Sequence, residues 1–133
     1  MFRAYRDLDV WQKAMRLVTQ VYAVTEDFPR QEQFGLISQI RRSAVSVPSN
    51  IAEGKCRTSQ KEFLRHLDIA YASLAELETQ LEIAMSLKFI SENKLDNLIE
   101  ATSEIAQMPN GLRVAIESKA AARSPLPASL EIY

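Results

Sequence analysis

The sequence contains one histidine, His66, and one cysteine, Cys56, and these two counts limit the chemistry open to it. A structural zinc site needs about four ligands, which this pair cannot supply. A di-iron site in a helical bundle needs several inward carboxylates and two Glu-x-x-His motifs. Here Glu62 precedes His66 by four residues rather than three. Ser43, Ser46 and Ser49 have no histidine nearby in sequence to act as base, which argues against a serine nucleophile. There is no Walker loop, Gly-rich dinucleotide loop or HExxH segment, and three glycines are too few to cradle a phosphate. An enzyme is therefore not expected, nor a catalytic residue, metal or cofactor. Cys56 stands between Lys55 and Arg57, a setting that suits a reactive thiol; an incidental loop thiol is the competing reading. His66 is read as a surface or boundary residue.

The remaining chemistry is cationic and polar. Arg41 and Arg42 are the only adjacent basic pair, open to three readings: a solvated face or ion pair, a phosphate contact, or a bridge between subunits. With Lys13, Arg16, Lys55, Arg57, Lys61 and Arg65, and with Arg3 and Arg6 near the N-terminus, they are the candidate nucleic-acid contacts. A second pattern lies in Gln39, Ser43, Ser46, Asn50 and Glu53. These residues recur at intervals of three and four, which puts them on one helical face. The apolar set Ile37, Ile40, Ala44, Val47 and Ile51 repeats beside them. The stripe is structural if its small hydroxyls let helices approach and satisfy the carbonyl freed by Pro48. It is functional if it faces a ligand or RNA.

These residues need helices to position them. Asp7 is a plausible N-cap for a first helix that runs to about Phe28. That helix carries two apolar stripes, Leu8, Trp11, Met15, Val18 and Tyr22, and Val10, Ala14, Leu17, Val21 and Phe28. One stripe serves a core, and the second suggests a subunit contact. Pro29 ends the helix. Phe34 and Leu36 begin the apolar face of helix two, which Pro48 should bend near Ala44 and Gly54 should stop. Ser59 and Glu62 read as a capping box. Helix three follows to about Lys88, with a seam of Phe63, Leu67, Ala70, Leu74, Leu77, Leu81 and Ala84 at the strict spacing of a bundle. Tyr71, Ile69 and Ile83 lie off that seam. Glu76, Glu78 and Glu82 are candidate partners for Arg41 or Arg42. Ser91 caps a fourth helix with a seam of Leu95, Leu98, Thr102, Ile105 and Leu112. Pro109, Asn110 and Gly111 read as a stop or sharp kink, followed by a short helix over 112–122. Residues 1–122 form one domain, and 123–133 an extended or mobile tail.

With 133 residues the chain can hide roughly two thirds of its unfolded surface, enough for a core without staples. An apolar fraction of 47% and a charged fraction of 25% are those of an ordinary soluble protein. No apolar run is long enough to span a bilayer and none resembles a signal peptide, so a cytoplasmic protein without membrane contact is expected. The formal net charge is −1, unevenly spread. Residues 1–65 carry 11 Lys and Arg against 7 Asp and Glu, and residues 66–133 carry 5 against 10. The two halves either present different surfaces or attract each other.

RRSAVSVPSNIAEG, followed by EFLRHLDIAYASLAELETQL, together with YRDLDVWQKAM and FPRQEQFGL, closely resembles the family of 23S rRNA intervening-sequence proteins, also labelled S23. The resemblance covers roughly residues 5 to 112 and holds several long motifs in order. It implies an all-α, antiparallel up-and-down four-helix bundle and a ring-shaped homo-oligomer, a pentamer. It implies no settled activity. A related group serves as the accessory protein of diversity-generating retroelement reverse transcriptases and binds nucleic acid. The chain departs from the family at Pro109, where an apolar helix former is expected. The resemblance thus points to an adaptor or scaffold for RNA, DNA or a nucleic-acid enzyme. A sequence pI near 5.9 is less basic than such a binder requires, which keeps a protein–protein scaffold in play.

Overall fold

The computed structural model describes residues 3–123. The two residues before Arg3 and the tail over 124–133 lie outside the described residues. The architecture is four α-helices, with no strand among the described residues: α1 (Asp9–Thr25), α2 (Leu36–Lys55), α3 (Gln60–Ser86) and α4 (Glu92–Arg123). Each helix packs on the next, α4 closes against α1, and the α2–α3 contact is the most extensive. Cross-links run antiparallel throughout, as in Asn50 to His66 and Ser43 to Gln80 across α2 and α3. Short connections allow no other arrangement of neighbouring helices.

The core is built from the expected seams. Leu67, Ala70, Leu74, Leu77, Leu81 and Ala84 of α3 are buried, as are Ile37, Ile40, Ala44, Val47 and Ile51 of α2. Of the two α1 stripes, Val10, Ala14, Leu17, Val21 and Phe28 go inward. The other stripe is split: Leu8, Trp11 and Val18 pack against the core half-buried, while Met15 and Tyr22 are 42% and 41% exposed. In α4, Leu95, Leu98, Thr102 and Ile105 are buried.

The helix ends depart from expectation in several places. Asp7 closes a 3₁₀ turn (Ala4–Asp7), and the N-cap of α1 is Leu8, whose side chain makes no capping hydrogen bond. The helix stops at Thr25, and Pro29 precedes a second 3₁₀ turn (Arg30–Glu32). Phe34 is not on the apolar face of α2; it precedes the helix and is 93% exposed. The α2 N-terminus is instead held by Glu32, whose Oε1 accepts from the Leu36 amide at 3.2 Å. Ser59 caps α3, its Oγ accepting from the Glu62 amide at 3.3 Å, while the Glu62 carboxylate pairs with Arg65. Ser91 Oγ accepts from the Lys94 amide and caps α4 as expected.

Two backbone positions carry the sharper corrections. Gly54 does not stop α2; it is buried inside the helix. A Cβ there would lie 2.6 Å from His66 Cβ and 3.0 Å from Phe63 Cδ1, so the glycine is what lets α2 and α3 touch. At the end of α3, Lys88 has φ 66. The Phe89 amide donates to Ala84 O and the Lys88 amide to Met85 O, both at 2.9 Å. This is the Schellman closure that glycine normally serves. Further along, α4 runs unbroken through Pro109, Asn110 and Gly111. A proline removes a single intrahelical hydrogen bond, and the turns on either side keep the helix going.

Gly54→Ala should lose about 1–3 kcal/mol, because overpacking outweighs the gain in helix propensity; urea unfolding measures it. Lys88→Gly should gain about 0.5–1 kcal/mol by relieving a left-handed backbone, read in the same assay.

Candidate functional site

The polar stripe of α2 meets a matching stripe on α3. Ser73, Glu76 and Gln80 recur at three and four beside the Leu74, Leu77 and Leu81 seam, a polar periodicity present in the sequence but overshadowed by the stronger apolar one. Ser43 Oγ lies 2.7 Å from Glu76 Oε1 and 2.9 Å from Gln80 Oε1. Ser73 Oγ donates to Ile69 O at 2.9 Å, so Ser46 must be the donor in the 2.8 Å contact between the Ser46 and Ser73 hydroxyls, since each hydroxyl has one proton. Asn50 Nδ2 donates to Ser46 O at 2.9 Å and to Ser46 Oγ at 3.0 Å. Its Oδ1 faces His66 Nδ1 at 3.1 Å. Gln39 and Glu53, at the ends of the stripe, are exposed. The Asn50 amide thus serves the Ser46 carbonyl rather than that of Ala44, which Pro48 leaves without a helical donor.

His66 is not at the surface; it is 3% exposed. Asn50 Oδ1 only accepts, so Nδ1 carries the proton. Arg65 Nη2, which only donates, stands 3.4 Å from Nε2. Both contacts fit the neutral Nδ1–H tautomer. The result is one directional chain of donors, from His66 through Asn50, Ser46 and Ser73 to the Ile69 carbonyl, along the α2–α3 seam.

The cations are not in one place. Arg41 turns toward α1. Its Nε donates to Thr25 Oγ1 at 2.8 Å, and its Nη2 to Tyr22 O at 3.3 Å and Glu26 Oε2 at 3.2 Å. The guanidinium also lies 4.3 Å from the Tyr22 ring centroid. The expected pairing of Arg41 with Glu76 is therefore absent. The two residues leave α2 in different directions: Arg41 and Ser43 differ by about 200° around the helix, and Ser43 is the one that reaches Glu76. Glu78 instead accepts from buried Thr102 at 2.6 Å and ties α3 to α4. Arg42 is exposed, and no ion pair to it occurs among the described residues. Lys13 bridges to Glu104 of α4 and, at 3.7 Å, to Asp9. The hydrogen bond to Glu104 raises the Lys13 pKa, and the same bond lowers that of Glu104. Arg16 is exposed on the next turn.

Lys55, Arg57, Lys61 and Arg65 share one end of the bundle, around the α2–α3 connection. The turn bearing Arg6 packs against α2, so Arg3 and Arg6 lie at the same end. Arg57 pairs with Glu53 at 3.0 Å and Arg65 with Glu62 at 3.2 Å, while Lys55 lies 5.7 Å from the Phe63 ring centroid. Lys61 is exposed. At the opposite end, a cleft of about 370 Å³ opens between the end of α1 and the start of α2, lined by Thr25, Glu26, Phe28, Arg30, Gln33, Ile37 and Arg41. Among the described residues no group of three His, Cys, Asp or Glu side chains is placed to hold a metal ion. No described helix is long and apolar enough to cross a membrane.

A family model described as 23S rRNA-intervening sequence protein matches residues 6–111. Among solved structures, the chain is similar to a protein of unknown function from the S23 ribosomal protein family of Bacteroides thetaiotaomicron. The TM-score is 0.71 and the identity 23%, over 78% of this chain and 97% of that one. At that identity the likeness speaks for the fold. No curated protein matches the chain.

Asn50→Ala should lower stability by about 1–3 kcal/mol, because it leaves the buried His66 Nδ1–H without an acceptor. Thermal and urea unfolding measure the loss.

Proposed function

Because the chain belongs to the 23S rRNA-intervening sequence protein family, we propose that it is a non-enzymatic, cytoplasmic adaptor that associates with nucleic acid as a ring-shaped homo-oligomer, a pentamer. In this reading α2 bends at Pro48, since the ring presses on the carbonyl one turn back. The observation that carries the nucleic-acid reading is the gathering of Lys55, Arg57, Lys61 and Arg65, with Arg3 and Arg6, at one end of the bundle. Exposed ion pairs such as Arg57–Glu53 and Arg65–Glu62 are weak, about 0–1 kcal/mol, so these cations can exchange a carboxylate for a phosphate. Arg41 is not part of the proposed surface: its guanidinium already holds α1 to α2. A ring repeats the basic end once per subunit, and avidity multiplies weak contacts.

A second reading is a protein–protein scaffold without nucleic acid. The net charge of −1 favours it, as does the neutralisation of Lys13, Arg41, Arg57 and Arg65 by carboxylates.

Fluorescence anisotropy against a structured RNA and a duplex DNA separates the two. Adaptor binding should weaken by orders of magnitude between low and near-physiological salt if roughly six or more phosphates are engaged. The double variant Lys55→Glu/Lys61→Glu should lower the salt slope by about 2. No binding even at low salt would leave the scaffold reading.

A further inference from the structure

Three aromatic rings, Tyr5, Trp11 and Phe63, stand among the cations at the basic end of the bundle. Tyr5 lies in the first 3₁₀ turn, Trp11 near the start of α1 and Phe63 near the start of α3. All three are half-buried. Trp11 and Phe63 pack partly against the core and keep the rest of the ring in water. The Tyr5 and Trp11 rings meet edge to face, with centroids 5.3 Å apart and planes at 63°. Gln12 Nε2 ties the turn to α1 by donating to Arg6 O at 2.8 Å. Rings held in this way lose little freedom when a flat partner arrives.

The cations beside the rings are not held by carboxylates. Arg3, Arg6, Lys55 and Lys61 make no ion pair among the described residues. Arg6 instead lies 5.8 Å from the Trp11 ring centroid, and Lys55 5.7 Å from that of Phe63. Cation–π contacts at exposed sites are weak, so either side chain can turn to an anion. Two of the three rings thus have a phosphate-seeking charge beside them.

We infer that this end binds an unpaired nucleic-acid strand, whose bases stack on Tyr5, Trp11 and Phe63 while the neighbouring cations meet its phosphates. The rings decide for an unpaired strand. In a duplex the neighbouring bases cover both faces of each base, so a ring on a protein surface finds only phosphates and groove edges. An unpaired strand presents its base faces to aromatic side chains, and such stacking tolerates any sequence because every base has a π face. An acidic peptide would satisfy the cations and leave the rings unused. The inference rests on the nucleic-acid association proposed above and names the form of nucleic acid that the surface takes.

Titration of the full chain tests it, with an unpaired strand of about ten nucleotides, the matching duplex, and an abasic strand bearing the same phosphates. Anisotropy reads affinity, and the emission of Trp11, the single tryptophan, reads stacking. The unpaired strand should bind about tenfold tighter or more than either of the others, and it should quench Trp11, which the abasic strand should not. Tyr5→Ala should weaken the unpaired strand by about fivefold or more and leave the abasic strand unchanged. Trp11→Phe should keep the binding and Trp11→Leu lose it, with urea unfolding to confirm that each variant folds. Tyr5 is not a core residue, so Tyr5→Ala carries the test even if Trp11→Leu does not fold. An abasic strand or a duplex bound as tightly as the unpaired strand, or an unquenched Trp11, overturns this inference and leaves a purely ionic nucleic-acid surface. No binding of any of the three at low salt overturns the nucleic-acid association as well.

Discussion

Between Gly54 and His66, α2 and α3 come so close that one added methyl group would sit 2.6 Å from the histidine Cβ. The rest of the bundle depends on that approach. It brings Asn50 within 3.1 Å of the His66 ring, and from there the relay through Ser46 and Ser73 runs about two turns along the seam. Buried polar groups stabilise a fold when every donor finds an acceptor. Here no described buried side-chain nitrogen or oxygen lacks one. The same geometry fixes the register of α2 on α3, because sliding either helix by a residue would bring side chains rather than a glycine to the crossing point.

Around this seam the other contacts divide between the ends of the molecule. The α2–α3 connection is a polar loop flanked by cations. At the other end, Phe28 packs on Phe89 with ring centroids 5.8 Å apart. Arg41 ties α2 to the last turn of α1, and Asp27 pairs with Lys94 of α4 at 3.8 Å. A bundle closed by aromatic packing at one end and fringed by Lys and Arg at the other is an anisotropic object.

The charged residues illustrate how far linear proximity misleads. Arg41 and Arg42 are adjacent in sequence, yet a helix turns about 100° between them. One therefore closes the α1–α2 groove and the other faces solvent. Lys13 appeared as a candidate phosphate contact, yet it is satisfied by Glu104, 91 residues away. Burial of His66 follows the same logic. Its neighbours Arg65 and Glu62 carry partly exposed side chains, and the approach of α2, with Gly54 and Asn50, covers the ring.

Periodicity alone marked the four helices, the α3 seam and the buried faces of α2 and α4, because a helix's apolar stripe is a local property that the core must bury; on α1 it offered two stripes, and the packing chose Val10, Ala14, Leu17 and Val21. Serine caps at Ser59 and Ser91 were legible for the same reason, since each acts on its own next turn. What only the tertiary structure decided is which polar residue meets which. Gly54 reads as a helix stop until His66 is seen across from it, and Lys88 shows its left-handed backbone only in the closed turn. Glu76 chooses Ser43 over Arg41 because helix rotation, not charge, brings them together. Phe34 reads as core from its hydrophobicity, and is left at the surface because the turn from Arg30 to Gly35 closes before α2 begins.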